Sequence, residues 1–380
     1  MKFTKIAATS LILLIPITPV NADSSVIELN ETISIETNFY WAKLSKYNFS
    51  PGKSLLVQAS SNQIYIGERA DRLIHRVQLT NSNIEIKQQI ELPKPLLANH
   101  QDNYLLDMFL QGDHLYTAVG DGSRSSDVCG GIKVYDFSIS SNGDLEQNPK
   151  LLFESSPCVW GDTGGHVWTA RLAGDGSNIY IAGGNWLVDW QFGTFPWKGF
   201  LNLSGKRKIP ATNFYGKITK IDIRTGKQSI FASGVRNLGG LYYDSTRKIL
   251  FNSDNGTRGG DRLNIVRKNS NFGWPRYSLG LPYTPDASKG ALVNTLGNST
   301  PPLLAWLPSI SPSTISVARQ TGDFSKYWSN DLYVGSLKDK SLHRIRLTNK
   351  NKFIYKGKEK FVEMAYDFAD RVGANISSEG

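Results

Sequence analysis

Cysteine is nearly missing from this chain. Cys129 and Cys158 are the only two in 380 residues, too few to staple a chain of this length, so a disulfide-built scaffold is excluded. Long apolar runs are scarce as well. The longest, Ile6 to Val20, is interrupted by Pro16 and Pro19 and falls short of a membrane span, and nothing later approaches that length. There is no C-x-x-C-H motif, which excludes a covalently attached c-type haem. Blocks of like charge are absent. The 43 Lys and Arg outnumber the 33 Asp and Glu, but they are scattered, and the longest basic cluster is Lys206-Arg207-Lys208. Scattered excess charge belongs to a solvated surface, with at most a modest pull on an anionic ligand, and no nucleic-acid module accompanies it. Helical apolar periodicity is hard to find. What the chain does have is apolar and aromatic weight: 40% apolar residues with 9 Trp, 16 Tyr and 17 Phe, which excludes a disordered chain and supports a core.

The first residues read as a leader. Lys2 and Lys5 precede the apolar run, and Val20-Asn21-Ala22 forms a small-residue cleavage site before Asp23. The expectation is a signal peptide over 1–22, a mature domain over 23–380 without a membrane span, and a periplasmic or secreted protein. In an oxidising compartment Cys129 and Cys158 could pair; equally they could be two small buried thiols.

Short runs of strand formers recur between turns rich in Gly, Asn, Asp and Ser. Gln63-Ile64-Tyr65-Ile66-Gly67, His114-Leu115-Tyr116-Thr117-Ala118-Val119, Asn178-Ile179-Tyr180-Ile181-Ala182 and Asp331-Leu332-Tyr333-Val334 share a loose x-Ile/Leu-Tyr pattern, and Lys248-Ile249-Leu250-Phe251 is another strand of the same length. Regular repetition of this kind suits a radial array of sheets better than a sandwich. Six blades of about 60 residues each would use up the mature chain, so an all-β, six-bladed propeller is expected, with the copy in the long gap before residue 331 having drifted.

Four Gly-rich and aromatic-rich segments could carry chemistry on the loops of such an array. In Gly164-Gly165-His166-Val167-Trp168, an imidazole sits where a ligand can come close and could act as a base, or could simply bond a neighbouring backbone group. In Gly234-Val235-Arg236-Asn237-Leu238-Gly239-Gly240, a guanidinium between glycines could bind a carboxylate or oxyanion, or brace a turn. The stretch Asp254-Asn255-Gly256-Thr257-Arg258-Gly259-Gly260-Asp261-Arg262-Leu263-Asn264 offers carbonyls to a hard cation, or is a long turn; Phe272-Gly273-Trp274-Pro275 follows it. Last come Pro308-Ser309-Ile310-Ser311-Pro312-Ser313 and Gly335-Ser336-Leu337-Lys338, whose ammonium could reach an acidic ligand or lie in solvent.

Taken in order, G-x-R-N-x-x-G at 234–240, N-G-x-x-G-G-D-x-x-N at 255–264, F-G-W-P at 272–275, P-S-x-x-P-S at 308–313 and G-S-L-K at 335–338 resemble the soluble PQQ-dependent aldose dehydrogenases, the glucose/sorbosone dehydrogenase family, over roughly residues 100–380. The resemblance implies an exported quinoprotein oxidoreductase that holds pyrroloquinoline quinone (PQQ) and calcium over the propeller channel. It assigns His166 as catalytic base, Arg236 as the oxyanion-side group, Asn185 as the residue that orients the base, Asn237, Lys338 and Arg371 to the cofactor, and the carbonyls of Gly256 and Thr257 to calcium. His166 would take the proton of an aldose's anomeric hydroxyl, hydride would pass to the quinone, calcium would polarise the quinone carbonyl, a lactone would leave, and the electrons would go on to an electron acceptor that the sequence does not identify.

Departures from the family pattern are specific. Asn185 stands where an Asp is usual, Gly165 precedes His166 where an Asp occurs in active sugar oxidisers, and Arg262 replaces the acidic residue after Gly-Gly-Asp, disfavouring a second, structural cation. An expected Gln is matched only by the neighbourhood of Gln101 and Asp102, and the chain ends at Gly380, a strand or two early for the family. Asn185 and Arg262 favour an alternative, a non-catalytic propeller that binds a glycan or a protein, whereas His166, Arg236 and Lys338 together favour the dehydrogenase. A third reading, a metal-dependent hydrolase, needs several acidic side chains at the channel, for which Asp254 and Asp261 are the candidates.

Overall fold

The computed structural model describes residues 54–60, 62–68, 72–79, 84–93, 105–121, 129–156, 159–160, 169–185, 214–281, 296–317, 330–338, 341–347 and 353–359. The leader, His166, Cys158 and Arg371 lie outside them, and with Cys158 the question of a disulfide. Among the described residues there are strands and no helix, so none long and apolar enough to cross a membrane.

The strands form five sheets, each built from consecutive antiparallel strands. The first is β1 (Ser54–Gln58), β2 (Gln63–Glu68), β3 (Leu73–Leu79) and β4 (Ile84–Glu91). The second is β5 (Leu105–Gln111), β6 (His114–Asp121), β7 (Cys129–Ser138) and β8 (Lys150–Glu154), with β9 (Val159–Trp160) paired to β7. The third is β10 (Ala170–Gly174), β11 (Asn178–Gly183), β12 (Lys217–Asp222) and β13 (Gln228–Ser233). The fourth is β14 (Asn237–Asp244), β15 (Ile249–Asn255), β16 (Asp261–Val266) and β18 (Leu304–Trp306). Between its third and fourth strands the chain adds β17 (Ser270–Asn271) in parallel to β13 of the preceding sheet. The fifth is β19 (Pro312–Val317), β20 (Leu332–Ser336), β21 (Ser341–Leu347) and β22 (Phe353–Glu359). First strands touch in succession, β1 to β5, β5 to β10, β10 to β14 and β14 to β19, which is the arrangement of propeller blades around an axis. Five blades are described; the sixth expected from the sequence is not among the described residues.

The repeat marks the second strand of each blade. Tyr65, Tyr116, Tyr180 and Tyr333 sit on β2, β6, β11 and β20, all buried, and the drifted copy is Phe251 on β15. A second strand is covered on both faces by the neighbouring sheets, so β11 is buried at every position and reads as a continuous apolar run. Outer strands such as β8 and β13 are largely exposed and lose that signature. The core is accordingly divided into layers between blades. Tyr65, Leu105 and Phe137 pack between the first and second, Ile132, Ala170 and Ile179 between the second and third, Tyr180, Leu238 and Leu250 between the third and fourth, and Phe251, Leu263 and Val334 between the fourth and fifth. Each fully buried side chain of this kind contributes about 1.5–3 kcal/mol.

One cation is caught in this packing. Lys217, at the start of β12, is buried, and burial pushes its pKa down from 10.5 to about 8. Between those two values the unfolded chain holds more protons than the folded one, so the Lys217 contribution makes stability rise with pH across that window. Lys217→Met is expected to unfold at higher urea than the parent at pH 7, by up to about 3 kcal/mol, and to lack the parent's rise above pH 8. Parallel pH dependences in the two proteins would refute this assignment.

Candidate functional site

A cavity of about 490 Å³ opens where the fourth and fifth blades meet, between the start of β14, the loop from β15 to β16, the loop before β19 and the end of β20. Arg236, Asn237, Gly256 and Lys338 all line it, so three of the distant motifs come together, and Ser309 and Ser311 of the fourth motif complete its wall. Arg258 and Asp261 also line it.

Two buried carboxylates build the site. Asp254, 0% exposed at the end of β15, accepts the backbone N–H of Asn237 at 2.8 Å and of Arg236 at 3.1 Å on Oδ1, and Arg262 Nη2 at 2.8 Å on Oδ2. Arg262 is itself buried and passes Nη1 to the Phe272 carbonyl at 2.6 Å, which ties the F-G-W-P turn to the same ion pair. Asp261 accepts N–H groups from Gly256 at 2.9 Å, Ile310 at 2.8 Å and Ser311 at 2.7 Å, closing the 256–261 loop onto the loop before β19. Burial raises its pKa, a shift that these N–H donors oppose. The remaining motif is stitched on by Ser336 Oγ to the Ile310 carbonyl at 2.6 Å, and by the backbone N–H groups of Leu337 and Lys338 to the carbonyls of Ser311 and Ile310.

Two glycines of the second motif have physical reasons. Gly234 has φ +76°, in the left-handed region, and lets the chain turn into β14. At Gly239 a Cβ would lie 2.0 Å from the Pro312 carbonyl oxygen, so the close approach of β14 to β19 requires its absence. Arg171, on β10, holds the same point, giving Nε to the Gly239 carbonyl at 2.6 Å and Nη1 to Leu106 at 2.6 Å.

Arg236 is 5% exposed. Its Nη1 donates to the carbonyls of Asn255 at 3.0 Å and Gly256 at 2.8 Å, and its guanidinium lies 5.3 Å from the centre of the Trp274 ring. Asn237 Oδ1 is buried without a hydrogen-bond partner. Asn185 is 1% exposed; its N–H donates to the Arg236 carbonyl at 2.7 Å, while neither end of its side-chain amide has a hydrogen-bond partner among the described residues. It therefore reaches the site through Arg236, one residue after Gly184, although it does not line the cavity. The side chains of Arg258 and Lys338 are exposed and hydrogen-bond to none of the described residues.

The residues fit one of the two implied groups. Three cations, Arg236, Arg258 and Lys338, face a cavity with a single carboxylate among its described lining residues, and that carboxylate is already saturated by amides. With an orphaned acceptor on Asn237, this suits a polar, acidic ligand such as PQQ. Calcium fits poorly. Gly256 offers its carbonyl to Arg236, and Thr257, 3% exposed, does not line the cavity, its carbonyl lying against Gly280, where a Cβ would come within 2.7 Å. A divalent ion about 4 Å from that guanidinium meets roughly 8 kcal/mol of repulsion at an effective dielectric of about 20. Among the described residues no three His, Cys, Asp or Glu side chains cluster to hold a metal. Arg258 and the paired roles of Asp254 and Arg262 escaped the sequence reading, because a buried pair eight residues apart leaves no periodic mark.

Comparisons with known proteins agree with this picture. Residues 203–372 match the glucose/sorbosone dehydrogenase family model. The chain is 30% identical over 233 residues to the aldose sugar dehydrogenase YliI of Escherichia coli, which covers 60% of this chain and 55% of that protein. It is 32% identical over 131 residues to the uncharacterized protein slr1608 of Synechocystis, covering 33% of this chain and 30% of that protein. The chain thus spans little more than half the length of one relative and under a third of the other. In fold it is similar to the soluble aldose sugar dehydrogenase of E. coli, with TM-score 0.60, 18% identity and coverage of 83% and 89% of the two chains. It is also similar to the PQQ-bound aldose sugar dehydrogenase of Streptomyces coelicolor, with TM-score 0.51, 16% identity and 81% coverage of each.

The Asp254–Arg262 pair supplies a direct test of how the site is held. Asp254→Ala strands a buried guanidinium and is expected to cost about 3–5 kcal/mol in urea unfolding. Replacing Arg262 by Met in the same protein should restore part of that loss; a single-mutant cost below about 1 kcal/mol would show that the pair is not what organises the loop.

Proposed function

From the premise that this chain carries a domain of the glucose/sorbosone dehydrogenase family, we propose that it is an exported PQQ-dependent sugar dehydrogenase acting on the anomeric carbon of an aldose. The observation that carries the reading is the convergence of Arg236, Asn237 and Lys338 on one cavity whose cations exceed its carboxylates. PQQ, when bound, supplies the hydride acceptor. The chain's own part is positional and electrostatic. Lys338 and Arg258 offer unpaired positive charge to the acid's carboxylates, as would Arg371. Asn237 offers its free carbonyl oxygen to a donor on the ligand. Arg236, fixed at its backbone by Asp254 and against Trp274, presents a permanent charge to the oxygen on which negative charge grows during oxidation. His166 takes the proton from the anomeric hydroxyl, and the product is a lactone. Asn185 lends the base an amide and no negative charge, so the imidazolium is less stabilised than beside a carboxylate. No step is assigned to calcium, because the Gly256 and Thr257 carbonyls do not form a site for it.

Asn185 also supports a second reading, a propeller that holds a ligand and does not turn it over. The metal-dependent hydrolase is the weakest of the three, since Asp254 and Asp261 spend their oxygens on backbone amides and Arg262.

The test is to add PQQ to purified protein, with calcium present so that a metal requirement cannot mask binding, and to follow quinone absorbance and aldose-dependent bleaching of a redox dye. A spectral shift with bleaching is expected. His166→Ala should lower turnover by ~10²-fold or more while leaving PQQ uptake intact. No shift would eliminate the dehydrogenase, and a shift without turnover would leave the binding propeller.

A further inference from the structure

The resemblance brings a divalent cation with it, and the described site has a guanidinium in that place. Resting on the reading of the cavity as a quinone site, we propose that this chain takes up its acidic cofactor without a divalent cation, Arg236 standing in for the ion at the Gly256 carbonyl. Four observations converge on it. Arg236 Nη1 bonds the Gly256 carbonyl at 2.8 Å, one of the two implied for the ion, and the adjoining Asn255 carbonyl at 3.0 Å, so that oxygen accepts from a fixed positive charge. That charge is no swinging surface arginine: the backbone N–H of Arg236 is held on Asp254, its carbonyl accepts from Asn185, and Trp274 lies under the guanidinium. Calcium takes six to eight oxygens, carboxylates prominent among them. Here Asp261 is filled by three amides, Asp254 by two amides and Arg262, and the Thr257 carbonyl is packed against Gly280. Finally, the substitution of guanidinium for acid or ion happens twice at this site. Arg262 stands where the resemblance expects an acidic residue, and pairs internally with Asp254.

A guanidinium can do an ion's electrostatic work here. It stays charged at every accessible pH, and its planar fork can bond the loop carbonyls on one edge and the oxygens of a flat acid on another. It differs in that its charge is single and covalently tethered, so uptake needs no free metal.

The experiment uses the full chain stripped with EDTA. PQQ is titrated in by quenching of tryptophan fluorescence, in EDTA and in millimolar calcium, and metal retained after dialysis is measured by mass spectrometry. The dissociation constants are expected to agree within about twofold, with no calcium retained. Arg236→Gln should weaken uptake in EDTA by ~10-fold or more, and calcium, admitted to the freed carbonyls, should restore part of it. A parent affinity that climbs ~10-fold or more on adding calcium, or one calcium retained per bound PQQ, overturns this inference and leaves the dehydrogenase standing. An Arg236→Gln protein that binds as well as the parent in EDTA overturns the role given to Arg236. Absence of uptake in both buffers overturns the quinone reading along with it.

Discussion

Asp254 is the residue on which the site depends. A carboxylate with no access to water must find partners for its oxygens or lose its charge, and this one finds two backbone N–H groups and a guanidinium. Those partners are not arbitrary. The amides belong to Arg236 and Asn237, so the carboxylate sets where both side chains leave the backbone. The guanidinium belongs to Arg262, whose other arm fixes the Phe272 carbonyl and through it the turn that carries Trp274 beneath Arg236. Asp261 does the same on the opposite wall, holding Gly256 to Ile310 and Ser311. Two acids, neither of which touches a ligand with a spare oxygen, make four separated segments into one cavity.

The electrostatic character of the cavity follows. Carboxylates are present but internally compensated, whereas Arg258 and Lys338 are exposed without partners among the described residues. The field inside is therefore that of the cations, focused by low-dielectric walls. Such a field attracts a polyanion and repels a metal ion. Chemistry that depends on free carboxylates, such as metal-assisted hydrolysis, finds no support in it, while an acidic ligand does. Asn185 fits the same frame: its backbone N–H is tied to Arg236, while its buried side-chain amide has no hydrogen-bond partner among the described residues.

The fold was legible where geometry imposes a pattern. A strand sandwiched between two sheets must be apolar at every position, and a large aromatic at a fixed place fills the gap between blades; hence the x-Ile/Leu-Tyr run could be read, whereas its substitute Phe251 was identified only by the packing. Outer strands, half in water, have no such constraint, and the number of blades was a division of length rather than a reading of residues. The glycines of G-x-R-N-x-G-G at 234–240 were legible in the sequence, but the reason for Gly239, a carbonyl of the next blade where a Cβ would lie, belongs to the packing.

By itself the sequence determined an all-β array, its repeating second strand and the order of motifs that resembles the glucose/sorbosone dehydrogenases, because periodicity and turn chemistry are local properties. Only the tertiary structure decided what those motifs do to one another. Whether Gly256 offers its carbonyl to an ion or to Arg236, whether Asp254 is a ligand or a brace, and whether Arg262 faces solvent or a buried partner all turn on distances between residues far apart in the chain or on opposite sides of a loop. Burial makes those distances matter, since a charge removed from water must be matched by whatever the fold brings beside it.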